Sequence, residues 1–398
     1  MKWLALTGCA ILSLSAQSSL SQLAEIKTRV ADNQSRLPNY TCTETIERSR
    51  RRGDRGKFHP VDRVRLEVAL VNNKEMFGWP GGDRIAEEEI TNLVSGTIGN
   101  GDFALLERAV FFTPDAVIGP ALAETESGQT VLRYDYRVPL AASGYHLRVP
   151  PKDALVAYHG SFWVDAETLE LQHLDVTVDA IPPFLGIAAA SNAVEFAPVE
   201  IGGSSFRLPR RTELKITDLQ GWENRNHTVF LNCHQFTGES ILKFVEEGAE
   251  AAAPPSSLDA AAKPVLLPGE FSLDLTLGES IDAKTAAIGD PVHAVLEQPL
   301  RVRGESLAPK GAIVRGRVLK LERSETGFQV RIAVTSLEFQ KTQLDLTGRV
   351  NELALAHHAG FSIATSNVPC PRREPNTFAI GFDKLPAGTR FHLVSRAR

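Results

Sequence analysis

Through most of the chain hydrophobic and polar positions alternate with a period of two, as strands with one covered face require. The run 155–178, LVAYHGSFWVDAETLELQHLDVTV, shows it best. Val156, Tyr158, Phe162 and Val164 share a face, and Asp165 to Thr168 is a polar turn. Beyond it Leu169 and Leu171 share one face while Leu174, Val176 and Val178 share the other, which predicts a bulge near Gln172. The segment reads as a long, bent hairpin near the middle of a large antiparallel sheet. The same alternation predicts strands over 41–48, 61–70, 74–79, 145–149, 193–201, 206–217 and 224–236. Another is carried by Leu132, Tyr134, Tyr136 and Val138.

Helical spacing is confined to three places. Leu20, Leu23, Ile26 and Val30 predict a helix over 18–35, stopped by Leu37-Pro38. Ala86, Ile90, Leu93 and Val94 predict a second that ends at Gly96. Phe103, Leu106 and Val110 predict a third, with Asp102 as its N-cap. The GTIGNGD stretch between them lacks the lysine of a phosphate-binding loop and reads as a turn. Residues 246–268 shift to Ala, Pro and Ser, the composition of a linker. Alternation then resumes at Phe271, Leu273, Leu275 and Leu277, with short strands and Gly/Pro turns that suggest a small barrel over 269–398. The expected fold class is mainly β (α+β): a large curved antiparallel sheet with a few helices over 17–245, then a small β-barrel.

The N-terminus changes the picture of where the chain works. Lys2, the apolar run Trp3 to Leu14, and small residues Ser15 and Ala16 form the pattern of a signal peptide over 1–16. A periplasmic or secreted destination follows. Leu6-Thr7-Gly8-Cys9 offers a rival, a lipoprotein box with Cys9 lipidated, although only eight residues precede that cysteine. No later run reaches roughly 18 apolar residues, so no span of the mature chain is expected. Export permits disulfides. Cys42 and Cys233, in the first and last strands of one domain, are the expected bridge, with Cys370 left over; three cysteines allow three pairs, and spacing does not choose. With 398 residues, 43% hydrophobic and 23% charged, the chain suits two globular domains, and a net charge of -5 gives no argument for a nucleic-acid partner, and none is expected.

Catalytic signatures are missing: no G-x-S-x-G, Walker loop, G-x-G-x-x-G, H-E-x-x-H or paired C-x-x-C occurs. His357-His358 would point to opposite faces of a strand, Cys233-His234 reads as a bridge cysteine beside a surface histidine, and Asp165 with Glu167 reads as turn chemistry. Neither metal nor cofactor is expected. The charged stretch ERSRRRGDRGK at 47–57 reads as a solvated hairpin tip rather than an anion-gripping one, because no aromatic residues interleave with its cations. The apolar, proline-broken loop 181–187 covers the open end of the sheet or acts as a lid. Phe77, Trp79, Phe111, Phe112, Trp163 and Phe184 lie on or beside elements that would enclose a cavity, and are the expected ligand-lining residues.

On GSFWVDAETLELQHLDV, a strand-turn-strand unit, residues 18–245 resemble the LolA/RseB-like superfamily of periplasmic lipoprotein carriers and sensors. The resemblance implies a curved sheet wrapped around helices and an apolar cavity that takes a lipid or a lipoprotein acyl chain. IGDPVHAVLEQPLRVRGESLAPKGAIVRGRV, 288–318, is similar to the small barrel of TrbI-type conjugation proteins, without their inner-membrane helix. The two-part layout also resembles exported proteins of environmental bacteria. The expected function is therefore a non-enzymatic envelope protein that binds a hydrophobic ligand in its first domain and an envelope partner through its second. A scaffold with a solidly packed sheet is the alternative, and an undetected hydrolase a further one.

Overall fold

The computed structural model describes residues 8–82, 85, 90–99, 101, 103–126, 128–236, 272–302, 304–324, 327–340, 342–345, 352–354, 377–380 and 383–394. The chain divides into two units. One comprises Met1–Val61, Leu66–Gly78 and Asp83–Ser240, the other Asp62–Arg65, Trp79–Gly82 and Ile241–Arg398.

The first unit opens with helix α1 (Gly8–Arg36), which starts earlier than its apolar spacing predicts. Strands β1 (Tyr40–Arg52), β2 (His59–Val71) and β3 (Lys74–Gly78) follow. Then come the short helices α2 (Ile90–Leu93) and α3 (Leu105–Phe111). The remaining strands are β4 (Val117–Ile118), β5 (Leu122–Glu126), β6 (Gln129–Val138), β7 (His146–Val149), β8 (Lys152–Leu155), β9 (Ala157–Asp165), β10 (Leu171–Asp179), β11 (Ile187–Ile201), β12 (Ser204–Asp218) and β13 (Trp222–Gln235). Eleven of them form one antiparallel sheet in the order β3-β2-β1-β13-β12-β11-β10-β9-β6-β4, with β5 also on β6. The first strand of this unit thus lies beside its last.

The β9–β10 hairpin sits inside this sheet as its periodicity predicts. Its register slips between Leu171 and His173, and Leu169 adopts a φ of 57°, which is the expected bulge. The register carries Tyr134, Phe162 and Leu174 to one face. Ile26 and Val30 of α1, with Leu106, Val110 and Phe111 of α3, close over that face. Phe162 stacks on Tyr134 at 5.0 Å between ring centroids, and Phe111 meets it at 4.8 Å. Each such side chain contributes roughly 1.5–3 kcal/mol by leaving water. The hollow expected under the sheet is, at this place, packed core.

Strands β7 and β8 pair only with each other, so the predicted strand at 145–149 stands off the main sheet. The loop 181–187 lies over the sheet end. Leu185 and Ile187 are buried with Leu147, Val156 and Val178, while Phe184 is exposed.

In the second unit an eight-stranded sheet runs through Thr342–Asp345, Gly327–Phe339, Ile313–Ser324, Pro291–Leu296, Ser272–Leu277, Arg390–Val394 and Glu352–Ala354, with Thr377–Ile380 also on Gly327–Phe339. Leu273, Leu275, Leu277, Val292, Ala294 and Leu296 fill its core as their alternation predicts. Among the described residues the path has two ends, so the predicted barrel is not closed by any pairing there. Residues 1–7, the linker 246–268, the Asp102 cap, Cys370 and the His357-His358 pair lie outside the described residues.

Candidate functional site

A cleft of about 510 Å³ opens in the first unit where the last turn of α1, the start of β1, the β2–β3 turn, α3 and residues 208–209 of β12 meet. Several hydrogen bonds fix its walls. Asn33 binds the backbone of Arg207 both ways: its Nδ2 donates to the carbonyl and its Oδ1 accepts from the N–H, each at 2.9 Å. The α3 helix has only two turns, and its N-cap residue, Ala104, offers no side-chain cap. Glu75 of β3 supplies one instead, accepting the N–H of Gly101 at 2.9 Å and of Ala104 at 2.8 Å. Arg108 at the rim donates to Asn73 Oδ1 at 2.7 Å.

Two buried polar groups lie in this lining. Glu107 is 7% exposed, and Gln34 Nε2 donates to its Oε2 at 2.9 Å. Burial pushes its carboxyl up to about 7, against the lowering effects of the Gln34 bond and the Arg108 charge. Tyr40 has no exposed surface, and its hydroxyl has no hydrogen-bond partner among the described residues. Burial, then the charges of Glu75 and Glu107, push its pKa well up, so it stays protonated. Beside this floor the walls are mixed: Leu37, Phe103, Phe112 and Leu208 are apolar, while Asn33, Asn39, Asn72 and Arg108 add polar surface. The arrangement can therefore hold a molecule with a polar, hydrogen-bonding part against Asn33, Asn72 and Arg108 and an apolar part against Phe103, Phe112 and Leu208. Among the described residues no three His, Cys, Asp or Glu gather to hold a metal ion.

Glu107 ties stability to pH. Its folded pKa lies above the ordinary 4.5, so its contribution is complete below about 4.5 and is lost as pH rises through about 7. The expected loss between about pH 5 and about pH 8 is up to about 3 kcal/mol, since a tenfold difference in proton affinity between the folded and unfolded chain is worth about 1.4 kcal/mol. Glu107→Gln is expected to flatten this slope and to exceed the wild type in stability at the upper pH. Urea midpoints at both pH values measure it.

The six residues expected to line a cavity scatter. Only Phe112, 43% exposed, is in the cleft. Phe77 and Phe111 are buried in the core. Trp163 lies on the opposite side of the sheet from Phe162, donating from Nε1 to Glu124 Oε2 at 3.0 Å and meeting the His173 ring edge-on. Phe184 is at a loop apex. Trp79 belongs to the second unit, where the Arg317 guanidinium is 5.4 Å from its ring. The expected disulfide is formed: Cys42 and Cys233 are bonded, with 4.1 Å between their Cα atoms. Asp165 is a turn residue, as its setting predicts. Its carboxylate accepts the N–H groups of Glu167 and Thr168, which hold its pKa low.

Tyr40 and Glu107 are not among the residues that the sequence singles out. A signal existed for Glu107, which falls with Phe103 and Val110 at helical spacing, a carboxylate on an apolar stripe.

No protein family and no curated protein matches this sequence. Among solved structures the chain is similar to a LolA superfamily protein from Nitrosomonas europaea, with 11% identity, a TM-score of 0.29, and 55% of this chain aligned to 94% of that one. A DUF1329 family protein from Desulfovibrio piger aligns with 12% identity, a TM-score of 0.28 and the same coverage. Superpositions this loose decide neither fold nor activity.

Proposed function

We propose that the protein is a non-enzymatic binding protein of the cell envelope whose first unit takes an amphipathic ligand, a lipid or lipoprotein acyl group, in the cleft at Tyr40. The observation that carries this reading is the unpartnered Tyr40 hydroxyl beside the Glu107 carboxyl, whose pKa burial raises to about 7, with Phe103, Phe112 and Leu208 in the walls. An orphaned buried hydroxyl costs roughly 1–3 kcal/mol, which a ligand carbonyl or hydroxyl recovers. The disulfide supports export, because such bonds persist in oxidising compartments. Residues 1–16 serve as the export signal. Among the described residues no helix is long and apolar enough to cross a membrane. The second unit, entered through the 246–268 linker, serves attachment to an envelope partner. Val295 and Ile313, exposed and opposite one another on neighbouring strands, support that role.

The test is titration of the full chain with a fluorescent fatty-acid probe. Saturable binding is expected, weakened about tenfold by Phe112→Ala and by Tyr40→Phe, each loss equal to about 1.4 kcal/mol. Tyr40→Phe is also expected to raise the stability of the unliganded protein, since it removes the orphaned group. No saturable signal, or a signal indifferent to both substitutions, rejects the reading. The filled face beneath α1 and α3 favours the scaffold as a second reading, and that rejection would select it.

A further inference from the structure

The strands of the first unit end, away from the cleft, in reversals that are hydrogen-bonded to one another. Gly53 N–H in the β1–β2 tip donates to Gly221 O in the β12–β13 turn at 2.9 Å, and Leu219 N–H donates to Gly186 O in the β10–β11 loop at 3.1 Å. Lys152 Nζ in the β7–β8 hairpin donates to Phe184 O at 2.6 Å.

Leu219 and Phe184 stand at the apices of two of these reversals, 59% and 53% exposed. Neither is needed to make its turn. The β12–β13 turn is closed by Asp218, whose carboxylate accepts the N–H groups of Gln220 and Trp222. The β10–β11 loop is held down by buried Leu185.

Beside them the β1–β2 tip carries exposed Arg50, Arg52, Arg55 and Lys57. Among the described residues no carboxylate pairs with any of these four, whereas the neighbouring acids are engaged: Glu223 with Arg51, Asp179 with Arg137 and His159, Asp153 with His146 and Arg148. Asp54 is the one acid in 50–58. The tip also has the aromatic rings that its own sequence lacked. The guanidinium groups of Arg50 and Arg52 lie 5.2 and 5.7 Å over Trp222, and those of Arg51 and Arg225 lie 4.6 and 3.6 Å from Phe58. The premise that no aromatic accompanies these cations is thereby corrected: Phe58 leads into β2, and Trp222 begins β13.

Apolar apices beside a tip of unpaired cations and an indole are the elements of a surface that rests in a lipid headgroup layer. We propose that this end of the sheet docks on a bilayer containing anionic lipid, with Phe184 and Leu219 entering the headgroup region and Arg50, Arg52, Arg55 and Lys57 meeting the phosphates. The proposal does not depend on the cleft.

The test is co-sedimentation of the full chain with vesicles of equimolar phosphatidylglycerol and phosphatidylcholine, and of phosphatidylcholine alone. Partitioning is expected to favour the anionic vesicles by more than about thirtyfold and to fall as salt rises. Arg50→Gln with Arg52→Gln is expected to lose about thirtyfold, since two surface cations are removed. Phe184→Ser with Leu219→Ser is expected to lose several-fold on vesicles while binding to soluble heparin stays unchanged, which separates a bilayer from a polyanion. All four side chains are exposed or half-exposed, and unchanged urea midpoints confirm folding; the apolar N-terminal stretch is common to every variant. Equal partitioning onto neutral vesicles, variants that bind like the wild type, or loss confined to heparin overturns the proposal.

Discussion

Replacing Cys42 and Cys233 together by alanine is expected to lower the unfolding free energy of the first unit by about 3–5 kcal/mol. The bridge closes a loop of 191 residues. In the chain-entropy account a loop of that length restricts the unfolded ensemble by about 5 kcal/mol at room temperature, and partial structure in the unfolded chain reduces the figure. The geometry explains why the bond forms. Tyr40 pairs with Gln235 and Thr41 with His234, but the register then slips before Thr43 meets Leu231, so a bulge sets Cys42 against the stretch that holds Cys233. Phe236 N–H donates to Asn39 O at 2.9 Å just outside. The bond therefore locks the first strand to the last, the most distant pairing in the sheet. Urea unfolding followed by tryptophan fluorescence, with and without reductant, is the measurement. A loss below about 1 kcal/mol in the double variant would show that the bridge adds little to the ladder around it.

Gly160→Ala is expected to destabilise by about 3 kcal/mol or more, the upper range for overpacking, because what it meets is backbone. Gly160 is opposite Tyr136 in the β6–β9 pairing. With no side chain there, the Tyr136 hydroxyl crosses over Gly160 and donates to Asp175 O on β10 at 2.7 Å. A Cβ at 160 would lie 1.9 Å from Asp175 O and 2.9 Å from the Tyr136 hydroxyl. One strand of the hairpin would have to move. Gly144→Ala is the control: a Cβ there meets nothing within 4 Å, and a change within about 0.5 kcal/mol is expected. Tyr136→Phe, which removes only the hydroxyl, is expected to cost about 1 kcal/mol. Comparable midpoints for Gly160→Ala and the control would disprove the notch.

The strands were legible because a sheet with one covered face writes itself as alternation, and Leu132, Tyr134, Tyr136 and Val138 could hardly read otherwise. The Gln172 bulge was legible for the same reason, since a phase slip is a local fact. The site was harder. Tyr40 looks in sequence like any strand aromatic. Its hydroxyl matters because α3, held by Glu75 from β3, closes over it without offering a partner. Aromatic content alone overpredicted a pocket: Phe77 and Phe111 are ordinary core, and Trp163 faces away because neighbours in a strand point to opposite sides. The aromatic beside the charged tip was not legible, since Trp222 is some 170 residues from Arg52 in sequence yet directly opposite it in register.

What the sequence determined by itself was the kind of element at each place and the face each buries, because these depend on spacing within a few residues. What only the tertiary structure decided was which faces meet: a cleft with a buried polar floor, a filled hollow, and cations laid over rings at the far end. Those depend on pairings between residues tens to nearly two hundred positions apart, for which local periodicity carries no record.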